Sequence, residues 1–174
     1  ANDTATAAAT TLAVNEANFA QDATINVANM FTVDAGNDGQ QSLVYTFDTS
    51  ELTATKAWVN NTWSDVTLDT STAGVVKGLV GTTEVYKISV AADGTVTFDQ
   101  SVALKHAGDT AHAADTDVLE LTGLKVVATL TDNDNDVDTA EIGLTIKVTD
   151  DVPSIEANDT ATAAATTLAV NEAN

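Results

Sequence analysis

Hydrophobic residues fall on alternate positions along much of the chain. Ile142, Leu144, Ile146 and Val148 are separated by polar or small residues, and so are Leu124, Val126, Ala128 and Leu130. A period of two places such residues on one face of a half-buried strand. The link 131–140 between these runs is acidic and turn-like, which predicts a hairpin with a long loop. A second hairpin is predicted where Tyr86, Ile88 and Val90 lead through Asp93-Gly94 to Val96 and Phe98, because Asp-Gly suits a tight turn. Asn60-Asn61, between Val59 and Trp63, predicts a third turn. Leu12 with Val14, Ile25 and Val27 with Phe31 and Val33, and Leu43 with Tyr45 and Phe47 predict further strands. The alanine-rich stretch 5–9 is interleaved with threonine and followed by Leu-Ala-Val, so the first strand is predicted over about 4–15. No helical period is sustained, and turn signals recur every 8 to 15 residues. The predicted fold class is all-β, an antiparallel β-sandwich.

Residues 1–18, ANDTATAAATTLAVNEAN, return unchanged as residues 157–174, an offset of 156. Identity over eighteen positions marks a tandem array. Residues 1–156 are expected to be one repeat, and 157–174 the first strand of an identical successor. The only proline, Pro153, follows Asp150-Asp151-Val152 and ends a strand, which puts the boundary linker at about 150–158. Repetition at domain length multiplies reach more readily than it multiplies chemistry.

Charge narrows the partners. The 174 residues carry 26 acidic and 6 basic side chains, a net charge of −20, and every basic residue is a lysine. No basic stripe exists to neutralise phosphates or dock on anionic lipid, so neither nucleic acid nor a membrane is an expected partner, and cations are. Thirty threonines and twenty valines favour strands. Cysteine is absent, which removes disulfides, thiolate catalysis and zinc–sulfur sites. No apolar run approaches a membrane span, and the opening residues lack the charged and apolar regions of a signal peptide, so any export signal is expected outside this stretch.

The segments LAVNEAN with DATINVANMFTV, VYKISVAADGTVTFDQSVALKH and LKVVATLTDNDNDVDTAEIGLTIKVTDDVPSIEA resemble the long repeats of giant bacterial adhesins exported by type I secretion, the RTX adhesins. The likeness covers most of residues 10–156 and is weakest over 49–80. It implies an immunoglobulin-like, calcium-dependent extender domain of an extracellular, cell-surface protein, set between a cell-anchored end and a ligand-binding end and serving adhesion or biofilm formation. The glycine-rich nonapeptide GGxGxDxUx is absent, so the chain would belong to the extender region.

Nineteen of the acids are aspartates, and Asp132, Asp134, Asp136 and Asp138 recur at every second position. Oxygen ligands without neighbouring histidine or cysteine suit calcium. An EF-hand beginning at Asp132 fails, because its sixth position is Val137 and its twelfth is Gly143. Ligands must therefore come from several loops. If the first strand runs from a leading to a trailing end, Glu16 and Asp22 lie at the trailing end and the returning strand carries Asp34 and Asp38 to the leading end. The last strand must then start at the leading end, with Asp132 to Asp138, and exit beside Asp150, Asp151 and Glu156. Asp159 opens the next repeat. The expected calcium ligands are thus Glu16, Asp22, Asp34, Asp38, Asp132, Asp134, Asp136, Asp138, Asp150, Asp151, Glu156 and Asp159, shared between neighbouring repeats of the same chain, a layout that resembles cadherin junctions. Calcium would turn a flexible array of otherwise monomeric repeats into a rod, each repeat adding on the order of 40 Å.

His106 and His112, in LKHAGDTAHAADTD with Asp109, Asp115 and Asp117 close by, have the makings of a metal or acid–base site but are expected on a surface loop, and one or both of Trp58 and Trp63 are expected to pack on the sandwich edge. No nucleophile signature such as GxSxG occurs, and no catalytic residue is expected. The alternative function is a calcium-dependent carbohydrate-binding module that uses the acidic loops, with Trp58 or Trp63 as a stacking surface.

Overall fold

A computed structural model describes residues 10–107 and 117–151. Among these residues eleven strands run in chain order: β1 Thr10–Asn15, β2 Ala23–Asn26, β3 Gln40–Asp48, β4 Lys56–Val59, β5 Thr62–Asp65, β6 Thr67–Asp69, β7 Val75–Val80, β8 Thr83–Val90, β9 Thr95–Gln100, β10 Val118–Asp132 and β11 Val137–Thr149. Two short 3₁₀ turns, Glu16–Asn18 and Ala28–Met30, complete them. One sheet has the order β1-β11-β10-β3 and the other β2-β9-β8-β7-β6, while β4 and β5 form a separate hairpin. The all-β sandwich expected from the alternation is the fold.

Its core lies between the two sheets. One sheet contributes Leu12, Tyr45, Leu124, Val126, Ile142, Leu144, Ile146 and Val148, and the other Val76, Val85, Tyr86, Ile88, Val96 and Phe98. Along β11 the burial alternates from Ile142 to Val148 as the sequence does. Tyr86 and Phe98 pack with ring centroids 5.7 Å apart, and burial pushes the Tyr86 hydroxyl up to about 12. A methyl group on Gly78 would stand 2.5 Å from the Tyr86 ring, so the bare glycine makes room for it.

The structure departs from the expectations at four places. The pairing of β1 with β11 is parallel, from Thr10 opposite Leu144 to Asn15 opposite Thr149, so the sandwich is not wholly antiparallel. The long acidic loop at 131–140 is instead a short turn: β10 and β11 stay paired out to Thr131 opposite Val137. Thr131 and Val137, on either side of the turn, close the ladder, and Asn135, with φ of +73°, turns the chain. Phe31 and Val33 are not in a strand, since β2 stops at Asn26 and a 3₁₀ turn follows. His106 is 2% exposed, so it lies in the interior and not on a surface loop. Pro153, Glu156, Asp159, His112 and the copied segment 157–174 lie outside the described residues.

Candidate functional site

Because β1 and β11 run the same way, Asn15 and Thr149 share the trailing end, and antiparallel β10 begins there with Val118 opposite Thr149. β10 ends at the leading end, where Asp132 faces Gln40 at the start of β3. Strand direction thus separates the acids into two groups.

At the leading end, carboxylate oxygens of Asp38, Asp132 and Asp134 lie within 4.8 Å of one another. The turn is tied locally: Asp132 Oδ1 accepts from the N–H groups of Asp134 at 3.1 Å and Asp136 at 2.9 Å. Asn133 joins it to the preceding loop, donating from Nδ2 to the Asp38 carbonyl at 2.6 Å and from its N–H to the Gly39 carbonyl at 3.1 Å. A hydrogen bond with the Asp134 carboxyl holds Asp132 below the usual carboxylate range, with backbone N–H groups adding to it. The same contact, and the charge of Asp132, push Asp134 up. Three carboxylates from two loops offer the type of oxygen ligand that a hard divalent cation takes. Asp34 lies outside this trio, its Oδ1 accepting from the Gly36 N–H at 2.9 Å. Asp136 and Asp138 are exposed, and Asp138 Oδ1 accepts from Thr139 N–H at 2.9 Å.

At the trailing end, Glu16, His106 and Asp150 converge with ligating atoms also within 4.8 Å. Glu16 follows β1 directly and is 4% exposed. Its Oε1 accepts from the Leu104 N–H at 2.9 Å and from Gln100 Nε2, and lies 3.6 Å from His106 Nε2. Burial raises its carboxyl above the ordinary value, against the pull of the Leu104 N–H and of Gln100. This carboxylate is already committed to binding the 100–106 segment onto β1, and an imidazole beside it suits calcium poorly. Asp22 instead lines an open hollow of about 430 Å³ with Asn15, Asn18, Gln21 and Thr149. Asp150 donates its N–H to the Asp117 carbonyl at 3.0 Å, and exposed Asp151 donates to Asp150 Oδ1 at 2.9 Å.

The family described as "Domain of unknown function (DUF5801)" matches residues 11–145. The chain belongs to the DUF5801 family. The matched span holds the leading-end acidic turn and nearly all of β1, and ends within β11. No curated protein and no solved structure gives a significant match.

Two features of this DUF5801 chain were not marked by any sequence motif: His106, 90 positions from Glu16, and Gln100. Gln100 was nonetheless readable, since it continues the inward run Val96, Phe98 on β9. The tryptophans stand apart from the leading acids. Trp58 and Trp63 face each other across the β4–β5 hairpin with centroids 5.1 Å apart, and Lys105 Nζ lies 5.9 Å from the Trp63 ring centre. Trp58 donates its N–H to the Ala103 carbonyl at 3.0 Å, which holds the hairpin beside Leu104 and Glu16 at the trailing end. Aromatic surface and acidic turn are therefore at opposite ends.

Proposed function

We propose that the chain is a spacer repeat of a secreted, cell-surface bacterial adhesin, stiffened by calcium at the junctions between successive repeats. The observation that carries this reading is the parallel alignment of the first and last strands. A repeat whose β1 and β11 advance in the same direction passes the chain onward, so identical copies joined head to tail add length instead of folding back. The verbatim return of residues 1–18 at 157–174 supports a tandem arrangement. With β11 at 13 residues, one repeat contributes about 40 Å.

Calcium enters through the leading trio Asp38, Asp132 and Asp134, whose oxygen set fits it. On this reading the trailing-end Asp22, Asp150 and Asp151, with Glu156 and Asp159 that follow them in the sequence, are the partners of the following repeat's trio. Without a counter-ion these carboxylates repel and the joint flexes; with one they lock. Small-angle scattering on a multi-repeat chain tests the reading. A longer maximum dimension in millimolar calcium than in chelator is expected, and unchanged dimensions would refute it.

A second reading has one observation in its favour. Trp58 is 44% exposed beside Trp63, an arrangement on which a sugar ring stacks. Binding to a glycan array that is lost in Trp58→Ala would favour a carbohydrate-binding module over a spacer.

A further inference from the structure

The place that β1 occupies depends on few side chains. Among the described residues β1 is an edge strand, paired with β11 alone. Its anchors are Leu12, 2% exposed; Val14, packed against the core; and Asn15, whose side chain accepts from the Ala17 N–H at 2.8 Å. Glu16 completes them by closing on Gln100 and Leu104. All four recur as Leu168, Val170, Asn171 and Glu172, inside a segment that equals residues 1–18 at every position. Two stretches of one chain therefore carry the same determinants for one place in the fold.

The second stretch is long enough to reach. β11 ends at Thr149, and the counterpart of Thr10 is Thr166, which leaves the 16 residues 150–165 between them. A strand lying parallel to its neighbour needs a crossover of roughly a dozen residues or more. The chain must return from the level of Thr149 to that of Leu144, a distance on the order of 20 Å at about 3.3 Å per residue. Sixteen residues span up to roughly 50 Å. An edge strand, moreover, leaves without opening any other strand pair.

We infer that residues 157–174 are a second occupant of the β1 place, exchanging with residues 1–18 within the same chain. In a tandem array each repeat then takes its edge strand from its own start or from the start of its successor, two arrangements with the same contacts and different linkers. The inference needs no calcium and stands apart from the spacer reading.

The test uses the full 174-residue chain and its variants Leu12→Asp, Leu168→Asp and the double, followed by thermal unfolding and by light scattering on a sizing column. Leu12→Asp is expected to keep most of its melting temperature, because Leu168 replaces it, and Leu168→Asp to change little. The double is expected to lose more than the two single losses added together. Equal losses in Leu12→Asp and the double would overturn the exchange. A rescued Leu12→Asp variant that is dimeric, or whose rescue fades on dilution, would overturn the assignment to a single chain and show the strand arriving from a second copy. The milder pair Glu16→Ala and Glu172→Ala repeats the comparison with the fold least disturbed.

Discussion

Gly123 has φ of +83°, and a Cβ there would stand 1.9 Å from the Glu51 carbonyl oxygen. The register of β10 shifts at this point, between Leu121 and Leu124, and Thr53 binds the bulge through its N–H to the Thr122 carbonyl at 2.9 Å. Gly123→Ala therefore meets both a backbone conformation that side chains disfavour and a rigid neighbour, and should cost about 3 kcal/mol, read from urea unfolding. Glu16 makes a different claim on stability. Its folded carboxyl titrates above the ordinary 4.5, so its contribution is complete below that value and is lost as pH rises through the higher folded value. Glu16→Gln keeps an oxygen to accept from Leu104 and Gln100 but has no charge to bury. Relative to the parent, measured in chelator, the variant should gain stability as pH rises from below 4.5 through the higher folded value; a constant difference would refute a burial cost.

The β4–β5 hairpin turns through Asn60 and Asn61 with φ of +53° and +60°, both in the left-handed region that asparagine tolerates and glycine prefers. Asn61→Gly should stabilise the chain by about 0.5 kcal/mol, whereas Asn61→Leu should cost about 1–2 kcal/mol, with tryptophan fluorescence reporting the hairpin in both. This turn, the Asp93-Gly94 turn and the alternating strands were all legible, because each rests on residues next to one another in sequence. What failed to show depended on partners far away. The aspartates at 132–138 looked like a long loop because charge spaced by two reads as repulsion, yet the ladder between β10 and β11 continues through Thr131 and Val137. Phe31 and Val33 had the right spacing, yet they pair with no strand among the described residues. His106 sat in an unremarkable polar context, and only the return of segment 100–106 onto β1 buries it. The trio Asp38, Asp132 and Asp134 was legible in part: strand direction put both loops at one end, but nothing local separated these three from Asp34, Asp136 and Asp138.

Across the whole molecule, a net charge of −20 makes every carboxylate cluster a cost unless something neutralises it. Lys125 does so within the domain, with Nζ 3.5 Å from Glu141, 3.6 Å from Glu51 and 3.8 Å from Asp48, and the charges of Glu141 and Glu51 raise its own titration. No such lysine is paired with the leading trio among the described residues, and the contact with Asp132 pushes the titration of Asp134 upward. Calcium takes the ionised carboxylates, and Asp134 titrates above its ordinary value, so affinity should weaken as the solution is acidified. The combined variant Asp38→Asn, Asp132→Asn, Asp134→Asn separates electrostatic strain from metal binding by the sign of its effect. In chelator it should be more stable than the parent, since three mutually repelling groups become neutral while the Asp132 side chain can still accept from the N–H groups of Asp134 and Asp136. In calcium the order should reverse. The parent gains roughly 4 kcal/mol when free calcium is about a thousand times its dissociation constant, and the variant gains nothing. If the variant is less stable in chelator as well, the aspartates serve the turn itself, and the stiffening of the array needs another source.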